Sequence, residues 1–143
     1  MNSALFYSFI IIGIIIIAIS IYFYSKKLLP LYVITYIGII TSIINHGISS
    51  KAAKNLDRTI MLISAVVYIY YGLKIKNKNL QLATLSIVVI MMFLYVSSKF
   101  IKKLLSGDNN DKNNLATNIH AIVHLLSLFL FGILVINEYL DNR

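Results

Sequence analysis

Residues 4–24 read ALFYSFIIIGIIIIAISIYFY, 21 consecutive positions without a charge. As a helix rising about 1.5 Å per residue, this run spans about 31 Å, the thickness of a bilayer's hydrocarbon core. A soluble helix of that length keeps one polar face. Here serines and tyrosines are the sole polar groups, so the solvent that suits the run is lipid. It does not read as a secretory leader. No basic residue opens it, its apolar core is too long, and no small-residue cleavage site precedes Lys26. The run is expected to be a retained span.

Four more apolar runs follow, at about 28–46, 56–73, 80–96 and 115–136. None alternates as the strands of a membrane barrel do. The expected fold is all-α: a polytopic membrane helical bundle of about five transmembrane helices, forming a single domain over 1–143. Pro30 falls in the first turn of the second run, where a missing N–H costs nothing. Gly47 is expected to stop that helix and 48–55 to form a polar connection. Tyr68, Tyr70 and Tyr71 read as an aromatic belt at the exit of the third run. Ser106 to Asn114 reads as an aqueous loop, and Asn137, Glu138, Asp141 and Arg143 as a short solvated tail.

Composition agrees. The chain is 59% hydrophobic and 13% charged, with mean hydropathy +0.82, too apolar to cover a soluble surface. The net charge of +8 would suggest nucleic acid in a soluble protein. The lysines instead fall between apolar runs, at Lys26 and Lys27, at Lys74, Lys76 and Lys78, and at Lys99, Lys102 and Lys103. They are read as anchors at anionic headgroups, with membrane lipids as partners and no nucleic acid. Basic residues divide almost evenly between the two sides of a five-span chain, so charge bias sets no orientation. With no cysteine, disulfides and thiolate metal sites are excluded, and any metal must sit on His, Asp or Glu.

The polar residues inside the spans carry the functional information, because imidazole and carboxylate are costly in lipid and face a bundle interior or a cavity. All three histidines lie in or at the edge of a span. His120 and His124 are four apart and share one helix face. Hydrogen bonding to neighbouring helices is the alternative to metal binding for such a pair. His46 ends the second span, with Ser42 one turn earlier on the same face, and Asp57 opens the third. With five spans, the end of the second, the start of the third and the start of the fifth lie on one side of the membrane. Three imidazoles without a thiol suit Zn²⁺ and leave a fourth position open for water. The metal would lower the pKa of that water to about 7. Asp57 could hold or deprotonate the water, and Ser42 could donate to a developing oxyanion.

This set, Ser42-x3-His46, then Asp57, then His120-x3-His124, resembles the signature of the CREST superfamily of transmembrane hydrolases, which includes alkaline ceramidases and progestin and adipoQ receptors. The resemblance implies zinc on His46, His120 and His124, with Asp57 and Ser42 as catalytic groups. It further implies a ceramidase-like, zinc-dependent intramembrane hydrolase acting on a lipid amide or ester. Members usually have seven spans. Here two are missing between Asp57 and His120, which preserves the parity of the site. The alternative is a small non-enzymatic membrane protein, a homo-oligomeric scaffold or receptor-like relic keeping at most a structural metal site. Haem ligation is disfavoured, since ligands four apart on one helix do not reach opposite faces of the macrocycle.

Other polar or small residues have plainer readings. Asn45, Asn118 and Asn137 are expected to make interhelical contacts, Gly38-x3-Ser42 to let helices approach closely, and Met91 and Met92 to pack.

Overall fold

A computed structural model describes residues 3–48, 50–104 and 110–141. Five α-helices follow in order: α1 (Ser3–Tyr22), α2 (Leu29–Ile48), α3 (Lys51–Leu73), α4 (Lys78–Leu104) and α5 (Asn110–Asp141), with one 3₁₀ turn (Lys26–Leu28) leading into α2. Among the described residues there is no strand. Each helix packs on the next in chain order, and α5 closes the ring against α1. Phe23, just past α1, meets Tyr139 near the end of α5, while Phe9 in the first half of α1 meets His46 near the end of α2. So α1 runs parallel to α5 and antiparallel to α2, as an odd number of alternating helices requires.

Local chemistry explains the helix ends. Ser50 caps α3 by accepting from Ala53 N–H at 3.0 Å, which satisfies an orphan donor of the first turn. Asn77 Oδ1 accepts from Asn79 and Leu80 N–H at 3.0 and 3.1 Å at the start of α4. Gln81 Nε2 donates back to the Leu73 carbonyl at 2.7 Å and ties α4 to the end of α3. Tyr32 closes the α1–α2 turn, its hydroxyl donating to Phe23 O (3.0 Å) and accepting from Ser25 N–H (3.3 Å). Tyr71 fixes the same turn from α3, donating to Lys27 O at 2.8 Å.

The core lies between these ties. Ile16, Leu31, Leu130, Phe131 and Val135 are buried to within 2%. Buried hydroxyls in it satisfy themselves locally: Ser20, Thr35 and Thr84 each donate at 2.7 Å to the carbonyl four residues earlier. The outside is the reverse of a soluble protein. Ile14, Leu62, Val66, Val89 and Phe93 are each more than half exposed on the outer faces of their helices. Soluble monomers rarely expose continuous apolar surface beyond a few hundred Å². Lys26–Ile48, Lys51–Leu73, Lys78–Ile101 and Leu115–Asp141 are long and apolar enough to cross a bilayer; α1 adds the shorter apolar stretch Phe6–Tyr22.

Several expected boundaries move, each for a local reason. The connection expected over 48–55 is mostly the first turn of α3, which the Ser50 cap starts early. Asp57 therefore sits in the second turn of α3 rather than at its opening. Gly47 does not stop α2, which runs through Ile48. Of the expected loop, Asn110 to Asn114 belongs to the backbone of α5, and Ser106 to Asn109 lie outside the described residues. Helix α4 continues past Val96 to Leu104, and α5 past Ile136 to Asp141. Of the expected aromatic belt only Tyr70 is exposed. Tyr68 and Tyr71 turn inward, and Tyr68 Oη meets Thr35 Oγ1 at 3.2 Å. Glu138 is not freely solvated: it pairs with Lys27 at 3.5 Å, and Asp141 pairs with Lys76 at 3.7 Å.

Gly72 allows the close approach of α3 and α4. A Cβ there would lie 3.2 Å from Leu85 Cδ2 and 3.3 Å from Thr84 Cγ2, whereas a Cβ on Gly132 would meet nothing within 4 Å. Gly72→Val is therefore expected to overpack the interface and cost about 1–3 kcal/mol. Gly132→Ala should be neutral or gain up to about 1 kcal/mol from helix propensity. Thermal unfolding of the two variants in one detergent separates them.

Candidate metal centre

The site is built at the end of the bundle where α1 begins, α2 ends, α3 begins and α5 begins its apolar run. Helix α2 presents Ser42, Asn45 and His46 over one turn, α3 presents Asp57, and α5 presents His120 and His124 on one face. His46, His120 and His124 each offer a ring nitrogen, and these atoms all lie within 4.8 Å of one another. The His120 and His124 rings are edge to face with centroids 4.6 Å apart; His46 and His120 centroids are 5.6 Å apart. His120 and His124 are buried. His46 Nε2, His120 Nδ1 and His124 Nε2 are all shielded from solvent.

Tetrahedral zinc with Zn–N bonds of about 2.0–2.1 Å separates its nitrogens by about 3.4 Å. Drawing the rings together by at most about 1.4 Å reaches that spacing, a matter of small side-chain torsions. His124 Nε2 supplies an independent sign. It is buried and has no hydrogen-bond partner among the described residues. Leaving a buried polar atom unsatisfied costs about 1–3 kcal/mol, which a cation would recover. The donor set, three imidazoles and no thiolate, fits a zinc-class ion. Rings this close on one helix leave no room for a haem between them.

Asp57 is also buried, but it stands outside the converging set. Its carboxylate is taken up by α2. Ser42 Oγ donates to Oδ1 at 2.5 Å and Asn45 Nδ2 to Oδ2 at 2.8 Å. A buried carboxylate needs such partners. Ser42 and His124 line one cavity of about 90 Å³ that extends among Met61, Met91, Met92 and Tyr68. All five residues expected at a site are thus at one end of the bundle: three as a potential ligand set, two as a hydrogen-bonded pair beside it.

Two participants were not singled out from the sequence. Phe9 stacks on His46 (centroids 5.3 Å) and meets His124 edge to face (4.0 Å), covering the centre with an apolar ring. Tyr95 of α4 lies 5.9 Å from His120. Neither carries a polar or spacing signal; only helix parity places the start of α1 and the end of α4 at this end. Asn45, read as a general helix contact, has the specific role of holding Asp57, while Asn118 is exposed. Gly38 faces α3, its would-be Cβ 3.8 Å from Ile60 and Ser64, as a small residue at a helix contact should.

No protein-family model, curated protein or solved structure matches this chain.

Hydrogen bonds to a charged group contribute about 1.5–3 kcal/mol each. Ser42→Ala and Asp57→Ala are each expected to destabilise the bundle by about that much. The double variant should lose less than the sum, because the pair is shared. A double-mutant cycle of unfolding midpoints in detergent checks this; strict additivity would mean the bond contributes nothing.

Proposed function

We propose that this chain is a multi-pass integral membrane protein, with α1 as a fifth span. It holds a zinc-class cation on His46, His120 and His124 and hydrolyses a lipid amide or ester beside it. The convergence of three imidazoles from α2 and α5 within 4.8 Å, at one end of an otherwise apolar bundle, carries the proposal. The same five residues support kinship with the CREST hydrolases, as a reduced form of that architecture.

When bound, the ion would supply Lewis acidity and an activated water at neutral pH. The chain's own residues do the rest. A carboxylate has about four lone-pair sites. Ser42 and Asn45 occupy one each on Asp57, leaving two to accept a proton from water. Asn45 and Ser42 also orient that carboxylate. The Ser42 hydroxyl lines the cavity with His124, where it can turn to a developing oxyanion. Phe9 keeps bulk water off the imidazoles.

One observation favours a second reading, a non-enzymatic protein with a structural metal. The cavity beside the histidines is only about 90 Å³, against about 300–1,000 Å³ for ordinary ligand pockets. A lipid substrate would have to part the helices to enter.

The purified chain is expected to bind one zinc per molecule, and His120→Ala with His124→Ala to abolish binding. Asp57→Asn should retain the metal while lowering turnover of a lipid amide about 10²–10⁴-fold. Zinc kept by the double histidine variant would sink the site. Stoichiometric zinc in the wild type without turnover of lipid amides or esters would select the structural reading.

A further inference from the structure

The cavity that reaches the histidine end continues inward along the bundle. On α2 its lining runs from Ser42 to Thr35, two turns or about 10 Å deeper, and on α3 from Met61 through Ser64 to Tyr68. Ser127 joins His124 on the α5 side. Five of these residues carry hydroxyls: Thr35, Ser42, Ser64, Tyr68 and Ser127. Their hydrogen bonds decide what the cavity can hold.

The hydrogens of all five are committed in the resting structure. Thr35 donates to the Leu31 carbonyl at 2.7 Å and Ser64 to the Ile60 carbonyl at 2.8 Å. Ser42 donates to Asp57. Thr35 has thus spent its one hydrogen, so in its 3.2 Å contact with Tyr68 the phenol is the donor. Ser127 bonds the same phenol from α5 and must donate to it. A one-way chain results, from Ser127 to Tyr68 to Thr35 to the Leu31 carbonyl. A hydroxyl has one hydrogen and two lone pairs, so these walls offer acceptors and no donor. Ser42, Ser64 and Ser127 each keep both lone pairs.

We propose that this cavity is a hydration site, where about three waters donate to Ser42, Ser64 and Ser127 and form an internal store that supplies the histidine end. The volume of about 90 Å³ takes about three waters at about 30 Å³ each. Water brings two hydrogens to walls made of acceptors, whereas an ester or amide oxygen finds no donor among the five hydroxyls. Cavities that stay dry are lined by apolar groups, and a buried water needs two to four polar partners, which these hydroxyls and a neighbouring water provide. The supply role rests on the proposed hydrolase; the binding of water does not. With Phe9 over His46 and His124, hydrolysis there would draw on water already inside the bundle.

X-ray radiolysis of the full chain in phosphatidylcholine nanodiscs, read residue by residue by mass spectrometry, tests it. Hydroxyl radicals form from water and attack what lies beside it, turning a methionine thioether into the sulfoxide. Met61, Met91 and Met92 line the cavity and should be oxidised faster than Phe93, each rate taken relative to the free amino acid. Phe93 follows Met92 directly but is 71% exposed, on the lipid side. Ser64→Ala with Ser127→Ala should slow the three methionines about fivefold, the effect of about one hydrogen bond on occupancy, with helicity unchanged by circular dichroism. Wild-type labelling is read in both chelated and zinc-loaded protein, so a failure of the histidines to bind zinc leaves the test of the cavity intact. In zinc-loaded protein the double-alanine variant should keep one zinc per molecule and turn over a lipid amide more slowly. Methionines oxidised no faster than Phe93 would overturn the hydration site. Undiminished labelling in the folded variant would overturn its assignment to these hydroxyls. Full turnover by a variant that has lost its labelling would overturn the supply role.

Discussion

Polar side chains enclosed by apolar helices cannot turn to water, so they must satisfy one another or hold something that does. That constraint organises the end of the bundle where the histidines lie. Asp57 is tolerable there because α2 aims two donors at it from adjacent faces of one turn, Ser42 and Asn45. The same α2 turn aims His46 at the α5 pair. One helix thus supplies both the partners of the carboxylate and a third of the imidazole set. The relative placement of Asp57 and the histidines follows from the rigidity of α2. Gly38 and Ser42, small residues one turn apart, let α3 come close enough for these bonds to form.

The two ends of the bundle solve the polar problem in opposite ways. At the histidine end, Phe9 covers His46 and His124, and buried Asp57 takes its partners from side chains of the neighbouring α2. At the other end, tyrosine hydroxyls and lysine–carboxylate pairs tie together segments that remain open to solvent or headgroups: Tyr71 to Lys27 O, Lys27 to Glu138 and Lys76 to Asp141. Buried groups gain from low dielectric and from exclusion of water. The exposed pairs gain little by themselves and are screened by salt. The first end is built for strong local electrostatics, the second for exchangeable contacts at an interface.

Much of this was legible in the sequence, and the reasons are specific. Uncharged runs long enough for a bilayer and without strand-like alternation announce helices, because only helices and closed barrels satisfy their backbone within lipid. Helix parity then gave the common end for His46, Asp57, His120 and His124. Boundaries were less legible. Ser50 looks like one more loop residue until its hydroxyl caps Ala53, and that single bond carries α3 a turn and a half beyond its apolar run. Tyr68 and Tyr71 read as interfacial because rings and hydroxyls suit headgroups. Which face they occupy depends on the rotation of α3, and that is set by packing. Phe9 was invisible for a different reason. One phenylalanine in a run of isoleucines has no pattern of its own, and its role exists only once α1 lies against α2 and α5.

The arrangement also bears on how a hydrolase and a structural metal protein could share one architecture. In both, three rings must meet and a buried carboxylate must be held. The difference lies in what remains open around Asp57. With one donor on each oxygen, the carboxylate is oriented yet still has acceptor capacity. A third and fourth donor from the chain would have made it purely structural. Asp57 does not itself line the small cavity; Ser42, which holds it, borders that space together with His124. The cavity's lining of Met61, Met91 and Met92 gives walls of unbranched, readily rotated side chains. Such walls can adjust around a lipid chain that has parted the helices, but they do not by themselves admit one.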